Sequence, residues 1–304
     1  MPGMEQLEPG PAVVGRFAPT PSGPLHFGSL LAALASWLDA RAKKGRWLLR
    51  IEDIDPPRCP PGASDTIIEQ LDAFGLYHDG AVKYQHEHDS DYQKALDALV
   101  ACGMAYPCSC SRREWQHLGI YPGWCRQGPL HPERDCAWRL RTDSGEPEIY
   151  WQDRRLGHQR WSLPDLGDVV LKRRDGLWAY QLAVVVDDAR QGVTDIVRGA
   201  DLLDNTPWQI RLQQALGYAT PKYLHLPLVV AANGQKLSKQ NLAPALPLQH
   251  DAVRPLLHEA LILLGQSPSP TLRRAHVDDQ LKAAIESWQP HNLCPGNVQR
   301  TTSI

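Results

Sequence analysis

Arg16 to Ser29 reads RFAPTPSGPLHFGS, and the change of pattern within it decides the fold. Val13-Val14-Gly15-Arg16-Phe17 predicts a short buried strand, and Pro19, Pro21, Gly23 and Pro24 then forbid regular structure. From Gly28 onward, Leu30, Leu31, Leu34 and Leu38 form the i, i+1, i+4, i+8 stripe of an amphipathic helix. The order is strand, tight loop, helix start. Backbone N–H groups and the positive end of the helix dipole meet at such a turn, which suits an anion and above all a phosphate. His26 and Ser29 stand at its mouth, with Gly28 between them where no side chain blocks a ligand. A capped turn with an incidental histidine would read the same way. The balance shifts with Lys236-Leu237-Ser238-Lys239-Gln240, which follows the apolar run Leu226 to Val230 and the turn pair Asn233-Gly234. Two lysines three apart on a loop suit a polyphosphate whose negative charge grows as a bond breaks.

Working outward, Gly45 is a helix stop, and Trp47-Leu48-Leu49-Arg50-Ile51 has the apolar density of a buried parallel strand. Strand, helix, strand opens a nucleotide-binding α/β sheet, whose ligands bind beyond the carboxyl ends of the strands. Arg16 to Ser22 and Glu52 to Asp55 would both arrive there. Asp53 and Asp55, with Arg50 and Arg58 nearby, read as a surface ion-pair network; Glu52, directly behind a buried strand, is placed to receive an ammonium. Ser64 and Ser90 are candidate N-caps for helices with the stripes Ile67, Ile68, Leu71, Phe74 and Tyr92, Leu96, Leu99, Val100.

Asp175-Gly176 predicts a hairpin turn between Val169 to Lys172 and Leu177 to Tyr180. Leu182 to Val186 fits helix or strand equally, with Asp187 and Asp188 ending it. Gly192 to Gly199 reads as a buried strand ending in Arg198, well placed for bidentate capture of a carboxylate; an ion pair with Asp201 or Asp204 is the alternative. Thr206 to Leu216 is a capped helix. Beyond Pro247, Leu256, Leu257, Ala260, Leu261 and Leu264 form one helical stripe and Leu281, Ala284, Ile285 and Trp288 another, a helical hairpin that frays from about Pro290. Arg126 to Asp165 lacks regular periodicity, with Trp151 and Trp161 as packing anchors.

The whole chain has 304 residues, 42% hydrophobic and 22% charged, which suits one large or two modest globular domains. No apolar run approaches the roughly 18 residues of a membrane span, and no basic-then-apolar leader opens the chain. The expectation is a cytoplasmic protein with no membrane partner. A net charge of −2 argues against coating nucleic acid by bulk electrostatics. Local clusters remain (Arg41, Lys43, Lys44, Arg46; Lys172, Arg173, Arg174; Arg273, Arg274), which read more simply as solvated faces. Seven cysteines without a secretion signal favour metal or free thiols over disulfides. Cys108, Cys110 and Cys125 offer three thiolates for a structural zinc, which takes four ligands. The fourth could be Cys136, His117, His131 or Tyr121, and thiolate or imidazole is the ordinary choice.

RFAPTPSGPLHFGS resembles the first signature of class I aminoacyl-tRNA synthetases in its glutamyl form, and KLSKQ resembles their second. RIEDIDPPR (Arg50 to Arg58) and IVRGADLL (Ile196 to Leu203) are also similar to the glutamyl enzymes, so the resemblance runs from Val13 to Pro247. It implies an α/β, Rossmann-like catalytic domain of residues 12–105 and 166–247 after a leader at 1–11. A zinc-binding, acceptor-like insertion would span 106–165. The short helical region at 248–304 is too small for an anticodon-binding domain.

By resemblance, Arg16, Glu52, Tyr180 and Arg198 hold L-glutamate, with the Phe17, Ala18, Pro19 and Thr20 backbone lining the pocket. His26, Gly28, Ser29 and Lys239 hold ATP; His26, Ser29, Lys236 and Lys239 serve catalysis; Mg²⁺ accompanies ATP. The resemblance also implies Cys108, Cys110, Tyr121 and Cys125 as one structural Zn²⁺ site. The combination of signatures and length is similar to truncated paralogues that attach glutamate to the queuosine base of tRNA(Asp), acting here as a monomer. The signatures depart at Ser29, Leu237 and Gln240, which would lower rate rather than abolish it. Rival readings are a short enzyme charging the 3′ end of tRNA(Glu), a silent tRNA-binding paralogue, and a small-molecule nucleotidylyltransferase.

Overall fold

The computed structural model describes residues 13–230 and 244–300. The opening βαβ forms as expected: β1 (Val14–Phe17), α1 (Phe27–Arg41) and β2 (Arg46–Ile51), with β1 and β2 parallel. Gly45 permits the tight return, because a Cβ there would meet the Val13 carbonyl oxygen at 2.6 Å. α2 (Ala63–Ala73) leads to β3 (Lys83–Tyr84), which adds to β2 in parallel. α3 (Asp89–Ala101) and β4 (Ala105–Cys108) follow. The residues capping α2 and α3 are Gly62, at φ +76°, and His88, not Ser64 and Ser90. Each helix begins earlier than its apolar stripe.

After the short α4 (Arg112–Trp115), β5 (Ala137–Leu140) pairs antiparallel with β4. β6 (Glu148–Asp153) and β7 (Gly157–Ser162) then form a hairpin over which Trp151 stacks on Trp161. Regular strands therefore occupy the stretch whose periodicity was unreadable. After α5 (Leu163–Leu166), β8 (Val170–Lys172) completes a three-stranded sheet with β4 and β5. The Asp175-Gly176 turn is present, though the hairpin closes through a single bridge, Lys172 to Trp178.

α6 (Tyr180–Arg190) settles the ambiguous run as helix, which continues past Asp187 and Asp188. β9 (Asp195–Gly199), α7 (Thr206–Leu216), β10 (Lys222–Leu226) and β11 (Val229–Val230) follow. β9 and β10 are parallel, and β6 joins β10 on its far side, so the β6–β7 hairpin edges the main sheet. The Thr194 N–H donates to the Val14 carbonyl at 2.9 Å, setting β9 beside β1. The carboxyl ends of β1, β2, β9 and β10 thus open on one side, across the point where strand order reverses.

α8 (His250–Leu263) and α9 (Val277–Ser287) are the expected helical pair, and Leu257, Leu261 and Leu281 share one buried core with Leu30, Leu34 and Leu38 of α1. From Pro290 to Arg300 the chain does not fray: β12 (Val298–Gln299) pairs in parallel with β11, and Val298 is buried. Among the described residues, no helix is long and apolar enough to cross a membrane.

Candidate active site

Five buried charges meet where β1 and β2 end. Arg16, on β1, reaches Asp188 of α6 with Nε to Oδ1 at 3.1 Å and Nη2 to Oδ2 at 3.3 Å. Arg50, on β2, donates Nη1 to the same Asp188 Oδ1 at 2.8 Å and Nη2 to Glu52 Oε1 at 3.3 Å. Asp187 lies 3.8 Å from Arg50 Nε and accepts from Gln85 and the Tyr92 hydroxyl at 2.8 and 2.7 Å. Burial works against the charge of Asp188, but the two guanidinium groups outweigh it and hold its carboxyl below the usual range. Glu52 goes the other way: burial dominates over Arg50 and Arg16 and pushes it up to about 7. A group so poised ionises readily when a cation arrives beside it.

Arg198 at the end of β9 has a different environment. It is 5% exposed, and its donors go to neutral acceptors: Nη1 to Gln209 Oε1 at 2.7 Å and Tyr180 Oη at 3.5 Å, Nη2 to Thr206 Oγ1 at 2.8 Å, Nε to His225 Nε2 at 3.2 Å. No described carboxylate forms an ion pair with it, so the alternative pairing with Asp201 or Asp204 is not made. The Tyr180 hydroxyl feels the charges of Arg198, Glu52 and Arg16, which border the same space. A buried cation without a counter-ion calls for an anionic ligand. Arg16 was expected to hold the same ligand; its guanidinium is paired here with Asp188, which it shares with Arg50.

The loop from Phe17 to Thr20 walls this space. Phe17 stacks on Trp47, and the Pro19 carbonyl accepts from the Glu52 N–H at 3.0 Å. Ala18, Pro19 and Thr20 are half-buried. The strand end and the acidic residue are thereby fixed to each other through backbone.

His26 caps α1: its Nδ1 accepts from the N–H groups of Gly28 at 3.1 Å and Ser29 at 3.4 Å, and its Nε2 lies 3.3 Å from Ser29 Oγ. The helix start is therefore not an open row of donors, as the sequence suggested. The capping role makes Nδ1 an acceptor, which leaves the proton on Nε2, next to the Ser29 hydroxyl. A cavity of about 230 Å³ opens there, lined by His26, Gly28, Ser29, Gly199, Asp201 and Leu226 to Val229. Pro244 to Leu246 runs alongside: Ala245 bridges His26, and the Leu246 N–H donates to Leu25 O at 2.9 Å. Lys236, Lys239, Leu237 and Gln240 lie outside the described residues.

Between β4 and β5, the sulfurs of Cys108, Cys110 and Cys125 lie within 4.8 Å of one another, all buried. The Tyr121 hydroxyl enters the same cluster, 3.2 Å from Cys108 Sγ and 3.6 Å from Cys110 Sγ. Cys136 stands outside, bonded to Arg134 O, while His131 faces Glu114 at 2.9 Å. Burial opposes ionisation of Cys125, but the Tyr121 hydroxyl and the Leu130 and Ser109 contacts outweigh it and bring the thiol down to about 6. Three thiols and one phenol converging in a closed pocket fit a tetrahedral ion.

A family model for "tRNA synthetases class I (E and Q), catalytic domain" matches residues 12–118 and 127–284. A protein of Pseudomonas entomophila (strain L48) called glutamyl-Q tRNA(Asp) synthetase is 53% identical over 284 residues, 92% of this chain and 94% of that one. One of the same name from Pseudomonas aeruginosa is 52% identical over 277 residues, 90% of this chain and 93% of that one. The chain belongs to this class I family, among the glutamyl-Q tRNA(Asp) synthetases. The fold is shared with a glutamate tRNA ligase of Elizabethkingia meningosepticum, solved with its amino acid, which superposes with a TM-score of 0.80 at 24% identity, over 94% of this chain and 66% of that one.

The structure brings the expected Glu52, Tyr180 and Arg198 to one space; the sequence did not point to Arg50, Asp187 and Asp188 as buried partners there, nor to Gln209, His225 and Asp153 around Arg198. A signal existed for the acidic pair. Leu182 to Val186 continues into Asp187-Asp188 without a Gly or Pro, so a helix would carry both carboxylates into the core.

Proposed function

We propose that this chain activates L-glutamate with ATP and transfers it to the queuosine base of tRNA(Asp). The amino acid is carried by one observation, the buried Arg198 with no carboxylate partner among the described residues, set beside the ionisable Glu52. The RNA substrate rests on the relatives' names at 53% identity over 92% of the chain. Glutamate brings two carboxylates and one ammonium; the ammonium completes Glu52, and one carboxylate completes Arg198. The α-carboxylate is consumed in the first step, so the side-chain carboxylate is the lasting partner of Arg198.

In that step an α-carboxylate oxygen attacks the α-phosphorus of ATP and pyrophosphate leaves. In the second, a hydroxyl of the queuosine base attacks the acyl carbon and AMP leaves. The nucleophile of the first step is already ionised, so the chain's task is positioning and charge stabilisation. The Nε2–H of His26 and the Ser29 hydroxyl are offered to phosphoryl oxygens, and the cavity beside Leu226 to Val229 takes the nucleoside. Lys236 and Lys239 are assigned to the leaving pyrophosphate. Mg²⁺ bound to ATP supplies charge neutralisation between the phosphates.

Cys108, Cys110, Tyr121 and Cys125 are assigned one structural Zn²⁺, which would tie α4 and the loop after it to β4. We assign residues 12–105 and 166–247 to the catalytic unit, 106–165 to the insertion and 248–304 to a helical extension, the β6–β7 hairpin of the insertion being annexed to the catalytic sheet.

The test is transfer of labelled glutamate to tRNA(Asp) with queuosine, to the same tRNA without it, and to tRNA(Glu), each also with its 3′ terminal nucleotides removed. Label confined to an anticodon-loop fragment of queuosine-containing tRNA(Asp), indifferent to the 3′ trimming, is the expected result. Label on intact tRNA(Glu) alone would replace it with 3′-end charging.

A further inference from the structure

His225, fully buried on β10, and Asp153, at the end of β6, belong to none of the assigned sites, yet His225 touches Arg198 and Asp153 holds His225. His225 Nε2 lies 3.2 Å from Arg198 Nε, and His225 Nδ1 lies 2.6 Å from Asp153 Oδ2. An arginine Nε always carries its hydrogen, so the facing imidazole nitrogen must accept. That fixes His225 as the neutral tautomer with its proton on Nδ1, donated to Asp153. Asp153 also accepts from the N–H groups of Leu156 at 2.9 Å and Arg155 at 3.0 Å, so its carboxylate is held by the turn.

We infer that the Asp153–His225 pair is a positioning device for substrate recognition: it aims the Arg198 guanidinium while withholding the carboxylate that would neutralise it. Direct contact between Asp153 and Arg198 would supply the counter-ion that the substrate must otherwise bring. One imidazole between them transmits orientation and keeps the charge unspent. Thr206 and Gln209 hold the two Nη atoms in the same way, through neutral oxygens. Four of the guanidinium's hydrogens are thereby committed, and the second hydrogen of Nη2 is left for a ligand, among the described residues. The inference rests on the reading of Arg198 as the glutamate carboxylate site, and its test separates the two.

Glutamate-dependent ATP–pyrophosphate exchange on the full chain gives KM for glutamate and for ATP. His225→Leu removes the acceptor, and His225→Gln restores an amide oxygen near the Nε2 position. The expected result is a glutamate KM raised about tenfold or more in His225→Leu, recovered to within a few-fold in His225→Gln, with the ATP KM unchanged in both. Equal rises in both KM values, or no rise, would overturn it. Arg198→Lys is the control: if it leaves the glutamate KM unchanged, the reading of Arg198 fails; if it raises KM and His225→Leu does not, only the positioning role fails. ¹⁵N spectra of the wild-type chain labelled at histidine give an answer even if His225→Leu does not fold. An Nδ1-protonated neutral ring supports the device, and an Nε2-protonated ring or an imidazolium rules it out.

Discussion

Arg16 and Asp188, 172 positions apart, form an ion pair in which both side chains are 4% exposed, Nε to Oδ1 at 3.1 Å. Asp188 is shared with Arg50, so one carboxylate holds two guanidinium groups against the desolvation that would expel them. Asp188→Asn leaves both under-compensated. The expected cost is about 3–5 kcal/mol, read as a shift of the urea midpoint at constant slope. A midpoint within a few tenths molar of wild type would mean that the pair contributes nothing net.

Glu52 gives a pH prediction with a definite sign. Its ordinary carboxyl value of 4.5 is raised to about 7 in the fold, chiefly by burial. Its contribution to stability is therefore complete below about 4.5 and is lost as pH rises through about 7. Glu52→Gln, which leaves Arg50 its contacts with Asp188 and Asp187, should be more stable than wild type at pH 8 by about 1–3 kcal/mol, with the gain gone near pH 4. Thermal unfolding at both pH values checks it. The same poise makes the wild-type glutamate KM climb as pH falls below about 7, because the ammonium needs the ionised partner; a flat profile from pH 6 to 8 would refute that part.

Capping and chemistry can be separated at His26. Asn is a strong N-cap, whereas Ala loses the acceptor and costs about 0.5–2 kcal/mol. His26→Asn should therefore unfold near the wild-type temperature while losing exchange activity about 100-fold or more, and His26→Ala should lose both. Retained activity in His26→Asn would show that the ring's Nε2 has no part in activation.

For the cysteine cluster, metal analysis of the purified chain should return about one zinc per molecule. Cys125→Ser should lose the metal and several degrees of thermal stability, and Cys136→Ser should keep both. Tyr121→Phe should weaken retention in a chelator competition. The opposite pattern, metal lost with Cys136 and indifferent to Tyr121, would move the fourth ligand.

Trp288, behind α9, donates its indole N–H to Asp39 Oδ1 on α1 at 3.1 Å. Trp288→Phe keeps most of the packing but leaves that buried oxygen one donor short, at a cost of about 1 kcal/mol. Chemical denaturation measures it, and exchange kinetics should be unmoved.

The sequence was most readable where local pattern and function coincide. The strand, proline-rich loop and leucine stripe around His26 could form little else, and a charged residue at the end of a buried strand, as at Glu52 and Arg198, points to the sheet's open end. What stayed hidden depended on long-range partners. Whether Arg16 is free or paired is decided by Asp188, on a helix whose apolar run fits a strand equally well. The β6–β7 hairpin was obscured because β6 carries an aromatic, Tyr150, on its exposed face and a carboxylate, Asp153, on its buried one, against the alternation that usually marks a strand. Val298 looked like a loose end because its partner, Val229, lies on the far side of two helices in the chain.

The turn from Asp153 to Gly157 sends three consecutive side chains in three directions. Asp153 reaches His225; Arg154 grips Asp39 with two bonds of 2.6 Å; Arg155 donates to the His225 carbonyl and, at 3.0 and 2.8 Å, to the carbonyls of Cys294 and Pro295. The turn thus ties the strand that carries His225 to the first helix on one side and to Cys294 and Pro295 on the other. Moving the backbone at Cys294 is therefore expected to reach amino-acid affinity by way of Arg155 and His225.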